Sequence, residues 1–337
     1  MSPVLRGALL SLAAFALYAT HDVVVKELGQ HYTSFQILFF SGLLSFPVVS
    51  VLLMSDRTDG NLVPRHPWWS LLRSVTGVAT GAQGFYAFSV LPMAQCYAML
   101  FAMPLIITLL SIPMLGERVG LRRGIAVLVG LIGVIIVLRP GSAPLSVGHL
   151  AALGAAFTGA LTSVIVRKIG KNERSIVLMM YPMLMSVAAM GLALPFVYVP
   201  MPIEHLGLAG VVAVLGMCGA FLVIVAYRTA PAVIVAPMQY SQIIWAAFYG
   251  WLLFDERIDG WTAAGSAVII ASGVYIVLRE GTPDVSRNRP VLENRSRLDV
   301  GTIPGSGCGC AGSGQRTAER GKAIPRVKPP CQRRRRL

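Results

Sequence analysis

Charged residues along this chain are confined to short clusters, and the stretches between them are long enough to be whole helices. From Ser74 to Gly116 there is no Asp, Glu, Lys or Arg, and there is none from Thr229 to Phe254. A helix of about 20 apolar residues crosses a bilayer, and runs of that order recur throughout. The pattern predicts ten spans, at roughly 5–25, 35–54, 68–90, 93–114, 121–138, 149–166, 176–197, 206–227, 231–253 and 260–278. Spans three and four are separated by "VLPMA", eight and nine by "RTAPA". Each of these turns holds one proline, which has no N–H to continue a helix. Both long uncharged runs are closed by a Glu-Arg pair, Glu117-Arg118 and Glu256-Arg257.

Composition turns this pattern into a fold class. The chain is 55% apolar and only 13% charged, against roughly 25% charged residues in soluble domains. It cannot cover a water-facing surface, so an all-α integral membrane protein is expected, with the lipid bilayer as its surroundings. The net charge of +14 would suit nucleic acid if it lay on a folded face. Residues 282–337, however, hold thirteen Lys or Arg against four acids. That Gly-, Pro-, Ser- and Arg-rich stretch is expected to be a disordered basic tail, and no nucleic-acid partner is expected. Cys96 and Cys218 lie in apolar segments and Cys308, Cys310 and Cys331 in the tail, so neither a disulfide framework nor a metal site is expected.

The remaining basic residues set an orientation. Arg57, Arg65 and Arg73, then Arg118, Arg122 and Arg123, then Arg167, Lys168, Lys171 and Arg174, and finally Arg228 fall on one side with Arg6 and the tail. The other side has Lys26, Arg139 and Arg257. Both termini are thus expected in the cytoplasm. The first apolar stretch lacks a small-residue cleavage site and reads as an uncleaved span rather than a signal peptide.

The second half of the chain repeats the first. At an offset of 139, Phe88 aligns with Tyr227, Pro92 with Pro231, Glu117 with Glu256 and Arg118 with Arg257. One residue further, "IVLRP" (136–140) aligns with "IVLRE" (276–280), and at 142 Lys26 aligns with Lys168. Each unit holds five spans, an odd number, so the second copy must enter the membrane from the opposite face. Three parts are expected: repeats over 1–141 and 142–281, the second inverted, and the tail 282–337. Inverted repeats of this kind place a substrate site near the midplane between the halves.

The stretches "LGERVGLRRGIAVLVGLIGVIIVLRPG" and "FDERIDGWTAAGSAVIIASGVYIVLREG", with a Lys closing spans one and six, resemble the drug/metabolite transporter superfamily in its ten-helix EamA-type branch. The likeness covers residues 1–281. The "FDER" copy departs from the more usual Gly-Glu form. The resemblance implies a multi-pass transporter of the bacterial inner membrane, in a group whose members move amino acids, nucleosides, vitamins, sulfonium metabolites and xenobiotics.

Ionisable and amide side chains within the spans are the candidates for chemistry, because each is costly in lipid. "YATHDVVVK" places His21 and Asp22 a turn inside the end of span one. Asp22 either sits at the interface near Lys26, four residues on, or faces a cavity and binds a cationic group or a coupling proton. Thr76, Thr80 and Gln83 share one face of span three, with Tyr86 beside them and a Gly77/Gly81 pair suited to close helix contact. Gln239 and Gln242 share a face of span nine, flanked by Tyr240 and Trp245; Tyr97, Phe101, Thr158 and Thr162 are weaker candidates. The glutamines either line a cavity or bond neighbouring helices, and the aromatics either line it or anchor the interface. Glu117, Arg118, Glu256 and Arg257 read as structural or gating residues at span ends.

An enzyme is not expected. The histidines are scattered, and HExxH, CxxC, GxSxG and Walker sequences are absent, so neither catalytic residues nor a cofactor is assigned. Without a nucleotide-binding loop, energy must come from a gradient or from exchange, with a proton as the candidate coupling ion. The sequence therefore predicts a secondary transporter of a small organic metabolite working by alternating access. Its substrate is a riboflavin-like vitamin, an amino acid or an S-adenosylmethionine-like compound; the alternative is a drug or metabolite efflux pump of the same fold.

Overall fold

The computed structural model describes residues 3–55, 63–116, 120–139, 146–169, 173 and 175–280. Glu117, Arg118 and the tail fall outside these. Among the described residues the chain is helical throughout, without a strand: α1 (Pro3–Gly29), α2 (Ser34–Ser55), α3 (Pro67–Val90), α4 (Met93–Leu100), α5 (Met103–Leu115), α6 (Leu121–Leu138), α7 (Val147–Ile169), α8 (Ser175–Val197), α9 (Ile203–Thr229), α10 (Ala232–Val235), α11 (Gln242–Phe254) and α12 (Gly260–Glu280). Helices satisfy every backbone group within themselves, which apolar surroundings demand. Of the expected spans, seven are long and apolar enough to cross a membrane, and α2 adds a shorter apolar stretch, Ser34–Pro47. α3, with its Gly, Ser, Thr and Gln, and the interrupted segment 232–254 are not among them.

Two of the expected spans are not single helices. Span four breaks at Phe101 and Ala102 into α4 and α5, and span nine becomes α10, a 3-10 turn (Ala236–Ser241) and α11. Pro104 and Pro237 stand in the first turn after each change of helix, where a missing N–H cannot carry the i→i−4 ladder through. The breaks fall at positions aligned by the 139-residue offset: Phe101 corresponds to Tyr240, and the two rings meet edge to face, centroids 5.0 Å apart.

Packing joins the halves rather than closing each on itself. α1 lies on α9, α3 on α7, α2 on α8, α6 on α12 and α4 against α11. Small residues let these pairs approach, as expected where lipid removes any hydrophobic drive between helices. A Cβ at Gly219 would stand 3.1 Å from the Tyr18 ring. On α6 and α12 the backbones themselves touch: a Cβ at Gly265 would lie 2.7 Å from the Gly133 carbonyl oxygen. Gly77 differs from expectation, since a Cβ there would meet nothing nearer than 4.0 Å. Threonines fasten α3 to α7, with Thr162 Oγ1 donating to Thr76 Oγ1 at 2.7 Å and Thr80 Oγ1 to Thr158 Oγ1 at 2.9 Å.

Candidate functional site

A cavity lies between the two halves, beside the interrupted segments. α1 gives it Tyr18, His21 and Asp22, α2 gives Ser41 and Ser45, and α3 gives Thr80, Phe85 and Phe88; Tyr97, Gln239 and Gln242 come from the broken segments. The volume open to the centres of water molecules is about 90 Å³, several times the ~10–15 Å³ that one water needs. Among the described residues, its lining contains no Lys, Arg or Glu.

The polar centre is a chain of contacts across three elements. Asp22, 4% exposed, accepts a hydrogen bond from the Tyr97 hydroxyl, and its other oxygen is 2.7 Å from His21 Nδ1. Gln242, 1% exposed, donates from Nε2 to the Tyr97 hydroxyl at 3.4 Å. Aromatic faces surround the group: His21 meets Phe85 at 5.9 Å, and Tyr97 lies between Phe88 at 5.1 Å and Phe101 at 5.9 Å. Such buried polar networks hold their shape because an unmade bond is expensive there.

One turn further along α1, a second network ties off that end. Lys26 Nζ is 2.7 Å from Glu256 Oε1 and donates to the Leu91 carbonyl at 2.6 Å; the Phe254 ring lies beneath it, centroid at 5.1 Å. The second Glu256 oxygen accepts from the Met93 N–H at 2.9 Å. Met93 opens α4, so the carboxylate satisfies a donor the helix leaves free and meets the positive end of its dipole. Lys168, its repeat counterpart, is instead exposed. It donates to the Met114 carbonyl at 3.2 Å and sits over the Trp69 ring, centroid at 4.2 Å.

Of the residues singled out by sequence, the structure gathers His21, Asp22, Tyr97, Gln239 and Gln242 around the cavity. Gln83 stands instead against α7, where its Oε1 would lie 2.8 Å from a Cβ at Gly154 and accepts from Thr158 at 3.4 Å. Tyr86 is 37% exposed. Tyr240 points at α12, its hydroxyl occupying the space a side chain at Gly273 would need. Trp245 stacks on Tyr249, which pairs with Thr20 on α1 at 3.0 Å. Arg257 is exposed. Sequence reasoning passed over Tyr18, Ser41, Ser45, Ser186 and the partnership of Lys26 with Glu256. The serines at 41 and 45, one turn apart in a mostly apolar helix, were the available signal.

The model of the EamA-like transporter family matches this chain twice, over residues 5–139 and 146–279. The chain is 23% identical over 280 residues to the S-adenosylmethionine uptake transporter of Rickettsia prowazekii, covering 82% of this chain and 94% of that protein. To the pseudopaline exporter of Pseudomonas aeruginosa it is 26% identical over 276 residues, 80% of this chain and 95% of the relative. To the riboflavin transporter of Vibrio cholerae the figures are 28% over 286 residues, 81% and 93%. A solved crystal structure shares the fold with a TM-score of 0.54 at 17% identity, over 82% of this chain and 96% of that one.

Proposed function

The chain belongs to the EamA-like transporter family, a transporter and not an enzyme, and from that premise we propose that it is a secondary carrier of a small organic metabolite in the bacterial inner membrane. It works by alternating access: ten spans in two inverted five-helix repeats expose one central cavity to either side in turn, with both termini in the cytoplasm. The substrate is a riboflavin-like vitamin or an S-adenosylmethionine-like compound, in line with the names of two relatives, or an amino acid.

The observation that carries this reading is the cavity at the aligned breaks of spans four and nine, lined from both halves and centred on Asp22, Tyr97 and Gln242. Interrupted helices at a repeat interface are where carriers of this architecture bind substrate. The pairing of α1 with α9 and of α3 with α7 supports the inverted repeat, since span one corresponds to span six and span eight to span three. Glu256, paired with Lys26, acts as a contact that forms when that end closes and breaks when it opens.

Counterflow in proteoliposomes tests the proposal. Riboflavin, amino acids and S-adenosylmethionine, supplied in turn, should include one whose uptake saturates and is accelerated by the same compound inside. Flux that rises without saturating and ignores internal substrate would point to a channel and overturn the carrier reading.

A further inference from the structure

By sequence, Arg73 belongs with the basic residues that set the orientation; in the structure it lies inside the protein. It stands in α3 at 3% exposure, and Ser70, one turn before it, at 4%. Among the described residues, Arg73 Nε and Nη1 and Ser70 Oγ are enclosed without a hydrogen-bond partner. A guanidinium does not shed its proton in a protein, so the charge stays, and an enclosed charge without a counter-ion is costly. Glu173 does not supply one. Its Oε1 accepts instead from the His66 N–H at 2.6 Å, just ahead of α3.

The position on α3 decides what kind of partner can reach this pair. Trp68, Leu71, Leu72 and Val75 are exposed and form the outer face of the helix. Ser70 and Arg73 lie on the opposite face, in line with Gly77, Gly81 and Gly84 at steps of three and four. Gly81 and Gly84 line the cavity, and a Cβ at Gly77 would have only Pro182 of α8 near it, at 4.0 Å. The stripe thus runs from the cavity to Arg73 over about 12 Å of helix, on the inner side, whereas a lipid headgroup would meet the outer one. Long helical side chains lean toward the preceding turn, the turn that holds Ser70. The Lys26–Glu256 network closes the other end of α3, at Leu91 and Met93.

Resting on the carrier reading above, we infer that Arg73 and Ser70 form an anion station on the route between the central cavity and the membrane face at the N-terminal end of α3. It takes a small organic carboxylate, the substrate's own where the substrate has one. A planar carboxylate matches the guanidinium fork with two parallel hydrogen bonds, and the Ser70 hydroxyl adds a further donor. Its single charge balances that of Arg73. Lys168, over the Trp69 ring at 4.2 Å, adds positive charge at this end and draws anions toward it.

Benzoate and benzamide, alike in shape and different in charge, test this by equilibrium binding to the purified full-length protein in phosphatidylcholine nanodiscs. Benzoate should bind about tenfold or more tighter, the scale of a charge-assisted hydrogen bond. Arg73→Met should bring benzoate to the level of benzamide and leave benzamide unchanged, and Ser70→Ala should weaken benzoate several-fold. The melting temperature of the ligand-free protein is a second readout, which a merely structural arginine would move the other way. Arg73→Met should raise it by a few degrees, because an apolar side chain of similar length replaces an enclosed charge. Equal binding of the two probes by the unaltered protein would overturn the inference without recourse to any variant. A benzoate preference that survives Arg73→Met, or a lower melting temperature in that variant, would overturn it too. Phosphatidylglycerol discs, at raised salt to screen their surface charge, should keep the preference; its loss there would assign Arg73 to a lipid headgroup and reject the station. Counterflow measured as above separates the two readings: counterflow that persists while the probes bind equally would remove the station and leave the carrier standing.

Discussion

Gln83 and Gln242 present the same amide on the same kind of apolar helix, yet their surroundings assign them different work. Gln242 reaches the Tyr97 hydroxyl inside the cavity; Gln83 is pressed between Gly154 and Thr158 of α7. Gln242→Leu should weaken substrate binding by up to roughly tenfold, the worth of one neutral hydrogen bond of ~0.5–1.5 kcal/mol, with the melting temperature nearly unchanged. Gln83→Leu should do the reverse, lowering the melting temperature while affinity in the folded protein holds. A helical repeat shows which residues share a face but not what stands opposite, which is why the two read alike in the sequence. Asp22 was legible as a costly residue within a span, whereas its bond to Tyr97 joins positions 75 residues apart. The Lys26–Glu256 pair gives a second measurement. Glu256→Gln should destabilise the protein by about 3 kcal/mol by stranding a buried ammonium, and Lys26→Met in the same chain should recover most of it. A double variant no more stable than Glu256→Gln would show that the pair is not coupled.

Among elements, helix contacts are set by where small residues stand. α6 and α12 meet backbone to backbone at Gly133 and Gly265. Gly265→Val should disrupt this contact, costing about 1–3 kcal/mol or more from overpacking, because the Gly133 carbonyl oxygen and the Val137 backbone N stand in that space beside the Val137 side chain. Gly77→Ala should be tolerated, although Gly77 and Gly81 have the spacing of a contact motif and Gly265 stands five residues from Gly260 and eight from Gly273. Equal loss of folded yield from both variants would refute this ranking. Hydropathy located the helical segments to within a few residues but could not see the breaks in spans four and nine. Apolar content continues through Phe101–Ala102, and Ala236–Ser241 brings in Gln239 and Ser241 but no charge; what fails at both places is the hydrogen-bond ladder at Pro104 and Pro237, a property of two residues that a window average dilutes.

At the scale of the molecule, the repeat was legible in aligned residues, and the consequence of folding it, that the most extensive helix pairs are shared between halves, was not. The proposed topology places reporters after Gly120, Lys171 and Gly281 in the cytoplasm and those after Gln30, Gly141 and Asp259 outside; reversal at two or more sites would reject both the orientation and the inversion. Truncation after Gly281 should leave transport within about twofold, since the polar, basic composition beyond it cannot form a packed core, and loss of uptake at normal expression would assign that stretch a function. The two equivalent lysines carry one more consequence. Lys26 is bound to a carboxylate, Lys168 to a carbonyl and a ring, so the resting population is uneven. An excess of about 1.4 kcal/mol in closing contacts at that end would make its open form roughly tenfold rarer, and ligand arriving there would be bound more weakly by the same factor. The protein should therefore be sided, with different half-saturation concentrations in right-side-out and inside-out vesicles, and Glu256→Gln should draw the two values together.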